Sequence, residues 1–520
     1  MALSKNAKDL LSKRYCRDNE TSYDVFKRVA HALSLADEKF EKRLNKAMTD
    51  GYFLPNSPCL RNAGTKSGML HACFVLPIED TIESLLDTQK NMGLIFKHGG
   101  GVGINFSKLR PNGASLSSGG TSSGVVSFME TYDVMTNNIK QGGFRRGALM
   151  GVLNCDHAEI MEFIRSKLIN QLTNFNISVL VTDDFMEKVE KEETVNLINP
   201  QNGTVWQKLN AKTIFDIICF CAWNSGDPGL LFYDRINKDN KLYPKVKIEC
   251  SNPCGEVPLP EYGACCLGSI NISKLVKYNK FDFKEFEKHL KIAVRALRNM
   301  NSISWYPLPE ITKTMKELDP IGVGIMGFAD ALIKMNIYYD SEEALKFIDE
   351  LGSVYKKVTD KLAKDSFWKR IIAPTGSLSI LANCSSGIEP VFAADFERHL
   401  TMGVIRETRE LYKSKYLRIA HDIEPIWHLK VQAQWQKWLD GSISKTINLP
   451  YNASVDDIKN IYIQAYKLGC KGITVFRDGS KAGVLKKKEN KFKQLSSILK
   501  NERSWRKIAQ NYLELLDLNQ

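Results

Sequence analysis

The stretch CFVLPIEDTIESLLDTQKNMGLIFKHGGGVGINF, residues 73–106, carries the pattern that decides the fold. CFVLP (73–77) and GVGINF (101–106) are short β-like runs, and residues 82–96 between them are a helical stretch. Strand, helix and strand in that order form a unit whose two strands pair in parallel. Further along, NISVLVT (176–182) reads as another strand, and 159–168 and 283–300 read as helices. The alternation predicts an α/β domain with parallel pairing. Residues 1–50 have a different texture. Val25, Val29, Leu33 and Leu35 recur at helical spacing with Asp and Lys between them, predicting a helical N-terminal region. Glycine clusters at 99–103, 119–124 and 142–147 fall between periodic segments and read as loops.

A chain of 520 residues allows two to four domains, or one large α/β domain with decorations. The longest mainly apolar stretch, 214–223, is about half of what a membrane span needs and is interrupted by Asp216. The N-terminus MALSKNAKDLLSKRYC has no apolar signal core. A cytoplasmic protein without membrane contact is expected. The net charge of +13 is unevenly placed, because residues 481–520 hold ten Lys/Arg against four Asp/Glu. That tail reads as a solvated, basic amphipathic helix whose affinity for nucleic acid would be non-specific. Twelve cysteines in such a chain are not a disulfide framework, and without a CxxC pair a zinc ribbon is not expected. The eight histidines show no metal-ligand spacing, so no metal site is expected.

Ser251-Asn252-Pro253-Cys254-Gly255-Glu256-Val257-Pro258 sets a thiol between an amide and a carboxylate. Its prolines and glycine predict a tight irregular loop. If the segment is extended, Asn252, Cys254 and Glu256 face one site. The amide can then bind a hydroxyl, the carboxylate can act as general base, and the thiol can be a nucleophile or hydrogen-atom carrier. A plain turn with an incidental cysteine is the competing reading from spacing alone. Cys265 and Cys266 follow, and either could exchange electrons with a loop thiol, while Cys73 joins only if the fold brings it near. The loop Ala373-Pro374-Thr375-Gly376-Ser377 before an apolar helical run reads as an anion site or as a helix start that binds nothing. The glycines at 99–103 lack the dinucleotide and P-loop patterns. Arg145 and Arg146 lie in a flexible basic loop, able to clamp phosphate or simply to be solvated.

Together these segments resemble the catalytic subunit of ribonucleotide reductases, most closely class II, the adenosylcobalamin (vitamin B12)-dependent kind. The likeness runs from about residue 8 to about 480 through NSPCLRNAG (56–64), ACFVLPIED (72–80), GGGVGINFSKLRP (99–111), GGFRRGALMGVL (142–153), NPCGEVPLP (252–260), CCLGSIN (265–271), APTGSLSILANCSSGIEPVFA (373–393) and GCKGITVFRDGSK (469–481). The resemblance implies a ten-stranded α/β barrel over 51–480, built of two five-stranded parallel halves. A finger loop inside it would carry Cys254 as a thiyl radical that abstracts the ribose 3′-hydrogen. It implies that Asn252 and Glu256 hold and deprotonate the ribose hydroxyls, and that Cys73 and Cys265 become a disulfide. Ser57, Ala72, Cys73, Gly101, Pro374, Thr375, Gly376 and Ser377 would bind the substrate. Asp80, Thr81, Lys97, Arg110 and the loop 111–121 would bind a deoxynucleoside triphosphate effector at a homodimer interface, and Arg145 and Arg146 would relay its identity to the substrate base. Class I relatives receive their radical from a second subunit through paired tyrosines; here the corresponding stretch, Thr474-Val475-Phe476, lacks a phenol. A class I-like subunit and a non-catalytic nucleotide-binding relative are the alternatives. No ATP-cone domain is expected. No cysteine follows Cys470, so re-reduction is expected from a thioredoxin- or glutaredoxin-like protein or a separate dithiol carrier, unless the gene is truncated or split.

Overall fold

The computed structural model describes residues 3–17, 19–139, 147–169, 171–400, 403–480 and 485–487, with a mixed α/β architecture behind an all-helical N-terminus. The helices there, α1 (Lys5–Arg14), α2 (Ser22–Ser34) and α3 (Glu38–Thr49), each start at a side-chain cap. Ser4 accepts from the Ala7 amide, Thr21 and Asp24 form a capping box, and Asp37 accepts from the Phe40 amide. Val25, Val29 and Leu33 are fully buried as the periodicity predicts. Leu35 is not part of that face. It is 51% exposed and ends α2 in the left-handed conformation at φ 52°, where the chain must turn into α3. The basic tail falls outside the described residues, apart from the short strand Leu485–Lys487.

The strands that frame the interior are β1 (Phe53–Pro55), β2 (Cys73–Leu76), β3 (Gly101–Asn105), β4 (Leu149–Asn154), β5 (Phe175–Val181), β6 (Gly229–Phe232), β7 (Leu267–Asn271), β8 (Gly322–Met326), β9 (Thr446–Leu449) and β10 (Gly472–Arg477). The βαβ unit forms as its pattern predicts: a helix over Ile82–Lys97 joins β2 to β3, which pair in parallel with Cys73 opposite Gly101. β2 to β6 lie side by side in chain order, all parallel. β10 adds to β6 antiparallel and β9 to β10 in parallel, making a seven-stranded sheet. A second sheet has the order β1-β7-β8.

Backbone bonds run between the two sheets. The Cys265 amide donates to the Cys73 carbonyl (2.9 Å) and Val75 to Gly263 (3.1 Å), so the chain entering β7 pairs with β2. Across the structure, Ile371 donates to Val323 of β8 (3.1 Å) and Ser444 to Ile372 (2.9 Å), which ties β8 to the segment entering β9. Side chains alternate across β2 and β4. Val75, Met150 and Val152 point inward to an interior core with Leu180, Leu231, Cys265 and Trp368, whereas Phe74 and Leu153 pack outward under the helices.

Candidate active site

The segment around Cys254 is a hairpin held inside this interior. Cys250–Ser251 pairs antiparallel with Pro258–Leu259, and Cys250, Val257 and Leu259 belong to the interior core. Its tip is a turn, not the extended run that would aim three alternate side chains one way. The Gly255 amide donates to Asn252 O (2.9 Å), and Gly255 has φ 79°. Four bonds fix the hairpin from both sides. Asn105 Nδ2 donates to Glu249 O (2.7 Å) and Asn176 Nδ2 to Pro253 O (2.7 Å), from β3 and β5. Trp368 Nε1 donates to Pro258 O (2.6 Å) and the Ser442 amide to Glu256 O (3.0 Å), from the opposite wall. β3 passes so closely that a Cβ on Gly103 would lie 1.9 Å from Ser251 O, which accounts for the second glycine of Gly101-Val102-Gly103.

The turn separates the three side chains by exposure. Asn252 and Glu256 are buried, at 0% and 2% exposure, and Cys254 is exposed at the tip. Asn252 Oδ1 accepts from the Val257 amide (2.9 Å), and its buried Nδ2 has no oxygen or nitrogen acceptor among the described residues, only the Cys73 thiol beside it. A donor left that way is costly unless a ligand completes it. Cys73 and Cys265 meet here, with the Cys73 amide donating to Cys265 Sγ (3.1 Å). The neighbouring Cys265 thiol, burial and the Glu256 carboxylate together push the Cys73 thiol well above the ordinary thiol range, against a smaller opposing pull from the Asn252 amide. At neutral pH Cys73 is therefore a protonated thiol, able to give up both a proton and electrons. Cys266, next in the chain, faces the other way into the helical core, with Sγ against Leu297 O (3.4 Å).

Cys254 also lines a cavity of about 440 Å³ reaching β10 through Thr474, Val475 and Phe476; Met150, Asn176, Ser178 and Lys445 form other walls, and among the described residues no lining residue is a tyrosine.

At the start of the helix Gly376–Ala382, Thr375 is left-handed (φ 51°) and its hydroxyl accepts from the Gly387 amide (2.7 Å). This helix has seven residues, so donors around it matter more than its dipole. Arg14 NH1 donates to Ser377 Oγ (3.0 Å), and Tyr15 Oη lies 2.9 Å from Ser57 Oγ. Consecutive residues of the N-terminal region thereby touch both predicted phosphate contacts. Nothing local in the sequence marks Arg14 or Tyr15, because Arg14 meets Ser377 across 363 residues. Ala72 is half-buried, its carbonyl accepting from the Gly101 amide (2.7 Å).

Arg110 Nε donates to Asp80 Oδ2 (2.7 Å), and Thr81 caps the helix that follows by accepting from the Ser84 amide. Lys97 ends that helix 16 residues on, about 22 Å away. One chain therefore does not bring Lys97 to Asp80 and Arg110. Arg145 and Arg146 lie outside the described residues. Among the described residues no group of His, Cys, Asp and Glu is arranged to hold a metal, and no helix is long and apolar enough to cross a membrane.

Fold and site define an α/β protein whose thiol-tipped hairpin is held between two sheets beside a pair of cysteines. The chain belongs to the ribonucleotide reductase family: residues 71–359 and 403–476 match the model described as ribonucleotide reductase, barrel domain, and residues 1–68 the model described as ribonucleotide reductase, all-alpha domain. It is similar to proteins named vitamin B12-dependent ribonucleoside-diphosphate reductase. Identity is 42% with that of Thermoplasma acidophilum, covering 84% of this chain and 65% of the relative. It is 35% with that of Mycobacterium tuberculosis, covering 93% and 80%. A Streptomyces avermitilis protein named vitamin B12-dependent ribonucleotide reductase is 27% identical, over 97% of this chain and 66% of its own length.

Proposed function

We propose that this chain reduces ribonucleotides, diphosphates in the first instance, to 2′-deoxyribonucleotides with adenosylcobalamin as cofactor, supplying precursors for DNA. The observation that carries this reading is the convergence of Cys73 and Cys265 with Asn252 and Glu256, the two buried polar side chains of the hairpin tipped by Cys254. In this scheme a Cys254 thiyl radical takes the 3′-hydrogen atom of the ribose. Glu256 accepts the 3′-hydroxyl proton, and Asn252 Nδ2 gains the oxygen acceptor it lacks. The 2′-hydroxyl leaves as water with a proton from the Cys73 thiol, one of the Cys73–Cys265 pair. That pair supplies two electrons in all, delivers its second hydrogen to C2′ and becomes a disulfide, while Glu256 returns its proton to the 3′-oxygen and Cys254 returns the hydrogen atom to C3′. Ser57, Ala72, Gly101 and residues 374–377 hold the nucleotide, with the diphosphate beside Ser57 and Ser377.

The cavity beside Cys254 fits the cofactor's radical-generating face: it opens on the thiol itself, between Met150, Asn176, Ser178, Lys445 and Phe476. When bound there, adenosylcobalamin supplies the one-electron chemistry that makes the thiyl radical. Phe476 in the cavity wall has no phenol to relay a proton and an electron, which disfavours delivery of the radical from a second subunit. The backbone bonds joining β7 to β2 and β8 to the entry of β9 support closure of the two sheets into a ten-stranded barrel around the finger, spanning 51–480 behind the helical region 1–50. Asp80, Thr81 and Arg110 form an effector site for a deoxynucleoside triphosphate. Ile82 and Leu86 (60% exposed each) on the helix Ile82–Lys97, with Val134 (60%) on the helix Gly124–Asn138, make an apolar face for a homodimer in which Lys97 of one protomer can approach the other's effector site. A thioredoxin- or glutaredoxin-like dithiol re-reduces Cys73 and Cys265.

Turnover of CDP and CTP with dithiothreitol as reductant, with and without adenosylcobalamin and with no second protein, tests the reading. Deoxycytidine product only with the cobalamin is expected; no product in its presence overturns it.

A further inference from the structure

A second cavity, of about 460 Å³, lies at the entry of the chain into β10 and into the segment 369–372. Residues 374–377 and Phe476 lie at the exits of the same segments, so this cavity opens at the end of the strands away from the predicted phosphate loop. Seven of its lining side chains are cationic and two, Asp239 and Asp440, are acidic; three of the cations, Arg235, Lys356 and Lys467, are paired with carboxylates outside the lining, Asp183 (2.8 Å), Asp360 (2.9 Å) and Glu190 (3.1 Å). Its floor holds two cations that are almost fully buried, Lys471 at 2% exposure and Arg370 at 3%. Lys471 pairs with Asp239 (2.7 Å) and donates to Asp440 O (2.6 Å), while Arg370 pairs with Asp360 (2.7 Å) and lies 3.5 Å from the Asp440 carboxylate. The lining carboxylates are thus engaged by the floor.

Two cations at the mouth carry the positive charge that no carboxylate among the described residues offsets. Lys238 is exposed and has no carboxylate in salt-bridge range among the described residues, and Lys437 donates to the neutral Gln434 side chain (2.7 Å). Trp438 forms an aromatic wall, seated where a Cβ on Gly352 would come within 2.3 Å of the indole. A recess with low-dielectric walls and one sign of charge focuses its potential and selects ligands of concentrated opposite charge. Lysine ammonium groups suit phosphate oxygens as mobile point charges. We infer that this cavity binds a polyphosphate group, either free inorganic polyphosphate or the phosphates of a nucleoside triphosphate, at a site separate from Cys254 and from the Asp80–Arg110 pair.

Isothermal titration of the full chain with inorganic tripolyphosphate, and in a second arm with ATP, tests this against Lys238→Ala/Lys437→Ala. Both lysines are exposed, so the variant should keep the wild-type melting temperature; if it does not, Lys238→Gln alone replaces it. The expected result is a saturable, salt-sensitive equivalent per chain that weakens about tenfold or more in the variant. Sensitivity in both arms assigns recognition to the phosphates alone, and sensitivity in the ATP arm only adds the nucleoside; each supports the site. Unchanged binding in the variant, or no binding in either arm, overturns it.

Discussion

At the scale of single residues, spacing made Asn252, Cys254 and Glu256 readable as one constellation. The geometry behind it was not readable, because a left-handed Gly255 turns the segment and divides the trio into two buried polar groups and one exposed thiol. Cys73 needed the fold, since only pairing of β2 with the chain entering β7 brings it to Cys265. His71, two residues before Cys73, gives a pH-dependent prediction. Burial lowers its pKa to about 4; Nε2 lies 2.9 Å from Asn301 Oδ1 and Nδ1 2.9 Å from Ser304 Oγ. The unfolded chain takes up this proton near pH 6.5 and the folded one near pH 4, so the stability held by neutral His71 is full above about 6.5 and drains as pH falls toward 4. The loss amounts to at most about 3 kcal/mol. Urea unfolding at pH 7, 5 and 4 should show this decline in the wild type and a flatter profile in His71→Gln.

At the scale of elements, the long periodic segments were the legible ones. The helix expected at 82–96 forms over Ile82–Lys97, that at 283–300 over Phe283–Ile303, and the strand at 176–182 over Phe175–Val181. The stretch expected as a helix at 159–168 tightens instead into a 3₁₀ turn from Ser166. The hairpin Asp395–Leu400 with Gly403–Thr408 had no clear signal, because charged residues run through both strands and one of the buried positions, beside Phe396 and Ile405, is Glu407, so apolar residues do not mark the buried face. The finger hairpin has strands of two residues each, too short for periodicity, and owes its place to bonds from Asn105, Asn176, Trp368 and Ser442. Gly103 tests that dependence. Since the conflicting atom is backbone, Gly103→Ala must displace the finger, at about 1–3 kcal/mol in unfolding free energy. Turnover should fall with it. A variant of unchanged stability and activity would show that the close contact is not required.

At the scale of the whole molecule, α/β class and the helical N-terminus were legible from pattern, whereas contacts such as Arg14 with Ser377 depend on how distant segments pack. The proposed dimer places Leu86 at its centre, and replacing an exposed apolar residue with a charge leaves a monomer's core untouched. Leu86→Glu should therefore sediment as a monomer under conditions where the wild type is dimeric, with the same melting temperature in dilute solution. In the proposed scheme these relations converge on the Cys254 thiol at the tip of the finger hairpin. The direct test of its role is turnover by Cys254→Ser, which keeps the size and polarity of the tip but not its hydrogen-atom chemistry, measured under conditions where the wild type converts CDP or CTP. The account predicts no deoxynucleotide product above background together with retained nucleotide binding. Product at a rate comparable to the wild type would contradict it.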